Sequence, residues 1–248
     1  MRNIRLVADL HVHSVGSGHA YSTVLEIVTA AREKGLEMVG ITDHGPAMPD
    51  GPHPYYFGNQ RVWPDEIAGV RVLKGVEANI INEDGDLDLD EFYLKKLDVV
   101  LAGFHSHCFP SNDPRVCTET MLKVIDNPYV DIIVHPGNPE FPLDHEAVIK
   151  RAAEMGIPLE INNSSLCGSR RGSEQNCINI AGMIARFGCP VVIGSDAHFA
   201  WDVGKFDLAL AAVKAAGIKE EQVLNTSVDR VLKHITRNKG LCGGGITG

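Results

Sequence analysis

Short, almost uninterrupted apolar runs recur along the chain, each followed by a longer stretch in which apolar residues return at helical spacing. The runs are Ile4 to Leu10, Met38 to Thr42, Val70 to Val76, Val99 to Phe104, Ile132 to Val134, Pro158 to Ile161 and Pro190 to Ile193. Their continuity and their Val and Ile content predict strands of a parallel sheet covered on both faces. The periodic stretches predict the covering helices: Ser22 to Lys34, Cys117 to Asp126, His145 to Met155, Glu174 to Phe187 and Phe206 to Ala216. Two more lie near Glu220 to Asn225 and Val228 to Arg237. Thr23-Val24-Leu25-Glu26 reads as a capping box, and Gly35, Gly156 and Gly188 stand where C-cap glycines belong. Seven strands alternating with helices predict an α/β fold closed, or nearly closed, into a βα barrel.

Composition narrows the setting. A chain of 248 residues, 44% of them hydrophobic, suits one large domain, expected over 1–238, with a flexible glycine-rich tail over 239–248. No apolar run approaches the ~18 residues of a membrane span. Asp9 falls where a secretory leader would need its apolar stretch. A soluble, cytoplasmic protein is expected, and homo-oligomerisation stays open. The six cysteines are scattered without a C-x-x-C pair, so reduced thiols are expected rather than a disulfide framework or a zinc ribbon. A net charge of −9 speaks against duplex nucleic acid as a partner. It says little about small anions, because bound metals reverse the sign of a local site. The acidic stretch Asp84 to Asp90 resembles a calcium loop but lacks the glycine such a loop requires after its third acid, and reads as an Asp-Gly turn.

The candidate chemistry sits at the strand ends. His11 and His13 follow the first strand, and His44 ends the second in Thr42-Asp43-His44. Glu77 closes the third, His105 the fourth and His135 the fifth, while Asp196 and His198 close the seventh. Residues at these positions converge on one rim, where barrel enzymes keep their active sites. In extended backbone, residues i and i+2 share a side, so His11 and His13 can bite one ion, and Asp196 and His198 repeat the spacing. His19, in Gly16-Ser17-Gly18-His19, can curl over the rim. Any one of these histidines alone would read as a core or capping residue; the set at consecutive strand ends does not. Seven imidazoles and two carboxylates over-supply a single ion and suit two or three. The absence of thiolate from the set favours Zn²⁺, Mn²⁺ or Fe²⁺ in an open site.

These motifs resemble those of the PHP (polymerase and histidinol phosphatase) superfamily: Asp9-Leu10-His11-Val12-His13, Ile41-Thr42-Asp43-His44, Gly75-Val76-Glu77, His105, His135-Pro136-Gly137 and Gly194-Ser195-Asp196-Ala197-His198. His19-Ala20-Tyr21-Ser22-Thr23, Asp43-His44-Gly45-Pro46, His135-Pro136-Gly137-Asn138-Pro139 and Glu160-Ile161-Asn162-Asn163-Ser164-Ser165 resemble its YcdX-type stand-alone phosphatases. The resemblance implies a distorted TIM-like (β/α)7 barrel and a trinuclear, zinc-type centre. Carried over by position, His11, His13, Glu77 and Asp196 would hold one metal, and Glu77 would bridge to a second completed by His105 and His135. His19, His44 and His198 would hold the third. The implied activity is hydrolysis of a small phosphomonoester through a metal-activated hydroxide. Arg170, in Ser169-Arg170-Arg171-Gly172-Ser173 after the sixth strand, is a candidate phosphate clamp, with Arg171 behind it. His53, in a rim loop, is a candidate general acid, and His107 a candidate supporting group. Three rivals stand beside this reading. An amidohydrolase would want eight strands and commonly a bridging lysine. A nuclease or nucleotide phosphoesterase would act on related bonds, and a metal-storage protein would show no turnover.

Overall fold

The computed structural model describes residues 4–236, so the end of the expected domain and the tail 239–248 lie outside the described residues. Its first half runs β1 (Ala8–Val12), α1 (Val24–Glu33), β2 (Met38–Ile41), α2 (Pro54–Asn59), β3 (Glu66–Ile67), β4 (Val70–Asn79), α3 (Glu91–Leu94) and β5 (Val99–Gly103). The second half runs α4 (Pro114–Ile125), β6 (Ile132–Ile133), α5 (His145–Met155), β7 (Leu159–Asn162), α6 (Asn163–Leu166), α7 (Ser173–Phe187), β8 (Val191–Gly194), α8 (Asp207–Ala216) and α9 (Val228–Thr236). Seven strands pair in parallel in the order β1-β2-β4-β5-β6-β7-β8, and this is the distorted (β/α)7 barrel the motifs imply. No described helix is long and apolar enough to cross a membrane.

Local chemistry fixes the helices. Thr23 Oγ1 accepts the Glu26 amide at 3.4 Å while the Glu26 carboxylate accepts the Thr23 amide at 2.7 Å, so the expected capping box forms. Asp144 accepts the Ala147 amide at the start of α5, and left-handed Gly156 ends it. Buried faces of these helices pack on the outside of the sheet, in a cluster that joins Ile27, Val28, Met121, Ile149, Ile180 and Ile184 to strand residues such as Val39, Ile133 and Ile161. Inside the barrel a second cluster takes Leu10, Met38, Leu73, Leu101, Ile132 and Val192, and Val231 and Ile235 of α9 pack against it. The last helix thus plugs the end opposite the strand C-termini.

The structure departs from the expected elements in several places. The first strand is shifted to Ala8–Val12, so His11 lies within it; a polar inward face there had read as the strand's end. A two-residue antiparallel strand, β3, precedes β4 through a turn with Ala68 and Gly69 both at positive φ (53° and 83°). The expected rim loop after β2 contains α2, started by Pro54 behind His53. Glu220 to Asn225 forms two 3-10 turns rather than an α-helix.

That last departure has a structural reason. β1 and β8 are joined by few backbone bonds: Asp196 N donates to His11 O at 3.0 Å and His13 N to Ala197 O at 2.9 Å, both at the C-terminal rim. Lower down, fully buried Asn225 fills the seam. Its Nδ2 donates to Ala8 O and Ile193 O, each at 2.8 Å, and its Oδ1 accepts the Ile193 amide at 3.2 Å. The side-chain amide does what a neighbouring peptide would do. Replacing Asn225 with Ala orphans three buried backbone groups, and unfolding in urea should report a loss of about 3 kcal/mol. A loss under about 0.5 kcal/mol would show that the seam holds without it.

Candidate metal centre

Glu77, on β4 and fully buried, lies at the middle of the histidine cluster. Its Oε1 faces His105 Nε2 at 3.1 Å and His135 Nε2 at 2.6 Å. Its Oε2 faces His44 Nδ1 at 2.8 Å and both His11 Nε2 and His13 Nε2 at 3.4 Å. Asp196 Oδ1 stands 3.3 Å from His13 Nε2 and 3.7 Å from His11 Nε2. His198 follows at the rim, its ring centroid 4.2 Å from that of His13. Exposed His19 sits at the outer edge, its ring stacked 5.0 Å from both His44 and His198.

Ligand atoms closer than 4.8 Å to one another fall into four groups: His11, His13 and Asp196; His11, Glu77 and His135; His44, Glu77 and His105; and His13, His44 and His198. Eight of the nine residues singled out from sequence are in these groups, and His19 stands just outside them. In the cluster around the third expected ion, His13 takes the near place and His19 the far one.

Whether these residues suit a metal is decided by where their protons are. His11 Nδ1 donates to Glu160 Oε1 at 2.8 Å, so the neutral ring turns a bare Nε2 toward Glu77 and Asp196. Ser17 Oγ gives its proton to Asp43 at 2.7 Å and therefore accepts from His13 Nδ1 at 3.1 Å, which bares His13 Nε2. His198 Nδ1 donates to the Asp196 carbonyl at 3.1 Å, with the same result. His11 Nε2, His13 Nε2, Glu77 Oε2 and Asp196 Oδ1 are all buried and lack any hydrogen-bond partner. Four lone-pair atoms cannot satisfy one another; a cation among them can. The set fits a divalent metal, and the imidazoles of His11, His13 and His198 are oriented by a carboxylate, a hydroxyl and a carbonyl on their other nitrogens.

Electrostatics lean the same way. Burial works against charge at Glu77, yet His44, His105 and His11 hold its carboxyl well below the ordinary range. Burial likewise opposes ionisation of Asp196, and Arg170, His11 and His13 outweigh it. Burial and the neighbouring His198 and His44 push His13 well below the usual histidine value, and burial with Arg170 brings His135 down to about 4. His11 goes the other way, because Glu160, Glu77 and Asp196 overcome its burial. Without a metal, the surrounding carboxylates favour a proton on His11.

Two of the four described non-glycine residues at positive φ lie here. His135 and Asp196 adopt positive φ, 32° and 56°, which costs on the order of 1–3 kcal/mol each in non-glycine residues. Gly194 makes room below: a Cβ there would lie 2.0 Å from Glu160 Oε1 and 3.1 Å from His11 Cβ.

Two supporting acids carried no role in the sequence reading. Glu160, on β7, accepts from His11, from the His135 amide at 2.9 Å and from Asn162 Nδ2 at 3.0 Å. Asp43 accepts from Ser14 N (2.6 Å), Ser14 Oγ (2.7 Å), Ser17 Oγ (2.7 Å) and Tyr56 OH (2.6 Å). It thereby pins the loop between His13 and His19. The signal available was an acid buried in an apolar strand, Leu159-Glu160-Ile161, and an acid directly before a ligand histidine.

Arg170 reaches the centre: its Nη1 donates to Asp196 Oδ2 at 2.8 Å and to Ser165 Oγ at 3.2 Å. With His105, His107 and Arg171 it lines a cavity of about 520 Å³. His53 is placed elsewhere. It is exposed, caps α2 by accepting the Tyr55 amide at 3.1 Å, and is not part of the cavity wall. In the acidic stretch Asp88 accepts from Asn79 N and Ala47 N, and Asn82 accepts the Asp84 and Asp86 amides.

Residues 9–133 match the PHP domain and residues 181–238 the PHP-associated region. A probable phosphatase of Caldanaerobacter subterraneus subsp. tengcongensis is 52% identical, over 98% of this chain and 96% of its own length. A probable phosphatase of Syntrophotalea carbinolica is 49% identical, over 95% and 98%. Among solved structures, the histidinol phosphate phosphatase of Lactococcus lactis, complexed with zinc, L-histidinol and phosphate, superposes with a TM-score of 0.60. It covers 86% of this chain and 94% of that one at 18% identity, a likeness of fold.

If Glu160 orients His11, Glu160→Gln should weaken divalent-metal affinity about 10- to 100-fold in competition titration against a chromophoric chelator. Unchanged affinity would mean that His11 is set by packing alone.

Proposed function

The chain belongs to the PHP family and is a metal-dependent phosphatase, and from that premise we propose that it hydrolyses small phosphomonoesters at a centre of three divalent ions. The observation that carries this is the group of four buried, partnerless lone-pair atoms on His11, His13, Glu77 and Asp196. In this reading those residues hold one ion. Glu77, His105 and His135 hold the second, and His44, His198 and His19 hold the third, with His13 close by. A set of imidazoles and carboxylates without thiolate suits Zn²⁺ best, with Mn²⁺ or Fe²⁺ as alternatives. Bound there, the ions would supply Lewis acidity, a nucleophile from water at neutral pH and neutralisation of phosphoryl charge.

The protein's own groups do the rest. Glu160 and Ser17 keep the His11 and His13 rings in the tautomer that offers Nε2 to the centre. Asp196 divides its carboxylate, Oδ1 toward the centre and Oδ2 toward Arg170 and Asn162. Arg170 commits one nitrogen to Asp196 and Ser165 and has three further N–H donors for an equatorial phosphoryl oxygen. His107, on the cavity wall, is better placed than His53 to protonate a departing alkoxide. In this reading Glu77, which faces both His11 and His135, would do the work that a lysine does in an amidohydrolase.

Purified protein should carry two to three divalent metals per chain by elemental analysis. Chelation should abolish p-nitrophenyl phosphate hydrolysis, and added Zn²⁺ or Mn²⁺ should restore it. A full metal load without phosphoester turnover would defeat the phosphatase reading. Arg170→Ala should raise KM for the same ester at least tenfold, and an unchanged KM would remove the clamp.

A further inference from the structure

The cavity beside the centre is larger than a phosphoryl group needs. Its volume of about 520 Å³ is that of a small-molecule pocket, so most of it is room for the leaving group. His105 marks the end nearest the metal ligands, and Ser169, Arg170 and Arg171 form a wall. What this wall offers to a leaving group follows from which of its charges are already used.

Arg170 is committed, since it is mostly buried and bound to Asp196 Oδ2. Glu140, also on the wall, accepts the Ser106 hydroxyl at 2.7 Å. Arg171 differs from both. It lines the same cavity, is exposed, and among the described residues forms no hydrogen bond or ion pair, with Glu140 or any other acid. In a chain of net charge −9, a cation that finds no carboxylate of its own is placed where an acidic neighbour would have been easy to supply.

The turn that presents it is defined. Ser169 N donates to Ser164 O at 3.2 Å and Ser173 N to Arg170 O at 3.0 Å. Gly168 and Gly172 bracket the turn at φ 92° and 90°, conformations that other residues rarely adopt. Consecutive residues in such a turn direct their side chains differently: Arg170 goes inward to Asp196, while Arg171 stays at the cavity.

We propose that Arg171 receives a second anionic group, a carboxylate or a phosphate, on the leaving group. The substrate class is then phosphomonoesters that carry another negative group beyond the scissile one. The proposal rests on the phosphatase reading, with Arg170 serving the transferred phosphoryl. A guanidinium fork is suited to either anion through paired N–H donors. Glu140, Ser106 and Asn138 on the wall suit hydroxyl or ammonium groups and disfavour an anion on their side, which gives the leaving group an orientation.

The test compares matched esters on the metal-loaded full-length enzyme. The carboxylate arm sets 3-phosphoglycerate against glycerol 1-phosphate. The phosphate arm sets fructose 1,6-bisphosphate against fructose 1-phosphate. In the wild type, kcat/KM should favour the doubly anionic ester at least tenfold in one arm, which identifies the group. Arg171→Ala should collapse that ratio toward one, mainly through KM, and Arg171→Lys should keep part of it. A wild-type ratio near or below one in both arms overturns the proposal, as does a ratio that survives Arg171→Ala. Turnover of the singly charged esters with no preference separates failure of this proposal from failure of the phosphatase reading; if no ester at all is turned over, both fall.

Discussion

A carboxylate at zero exposure, ringed by five imidazoles, is the interaction on which the upper half of this barrel depends. Glu77 is sealed from solvent, and among the described residues no lysine or arginine pairs with it. Burying such a charge alone is prohibitive, and neutral rings that present lone pairs do not relieve it. Positive charge has to be brought to it, as protons on the histidines or as metal ions. Glu160, Ser17 and the Asp196 carbonyl occupy the far nitrogens of His11, His13 and His198, so each neutral ring leaves its near lone pair open to a cation. The strained φ values of His135 and Asp196 and the glycine below Glu160 belong to the same constraint: five or more polar side chains must meet in a space that regular strands would fill with aliphatic ones.

Much of this was legible in the sequence because each ligand lies in a short local motif at a strand end. Strand ends in a parallel barrel share one rim, so convergence follows from topology without any knowledge of side-chain contacts. The supporting groups were harder to read. His11 and Glu160 are 149 positions apart, and Tyr56 meets Asp43 from a helix that the sequence showed only as a proline-bearing loop. No periodicity encodes such pairings. The small strand β3 was hidden for a different reason: its turn puts Ala68 at positive φ, where Asn or Gly would have announced a hairpin. Glu220 to Asn225 has helical spacing but is held in 3-10 turns, because Asn225 must face the seam instead of continuing a helix. In each case tertiary demand overrode the local pattern.

His53 marks the limit of reading by residue type. A histidine on a rim loop has the right chemistry for proton transfer, but His53 caps α2 through Nδ1 and does not line the cavity beside the metal-type cluster. The arginine pair shows the opposite: two adjacent residues, indistinguishable by type, are separated by a glycine-bracketed turn into one side chain tied to Asp196 and one with no hydrogen-bond or ion-pair partner among the described residues.

Asn225 bears on the order of events in folding. It joins Ala8 to Ile193 across 217 positions of sequence, so the barrel cannot be sealed until almost all of the described chain is available. His11 precedes Asp196 by 185 positions (196 − 11). A closure this remote sets a high contact order, which slows folding, and leaves His11 and His13 without Asp196 until that later stretch of chain is in place. The four partnerless atoms therefore come together only when the barrel closes, so their meeting is a product of tertiary closure and no local segment carries it.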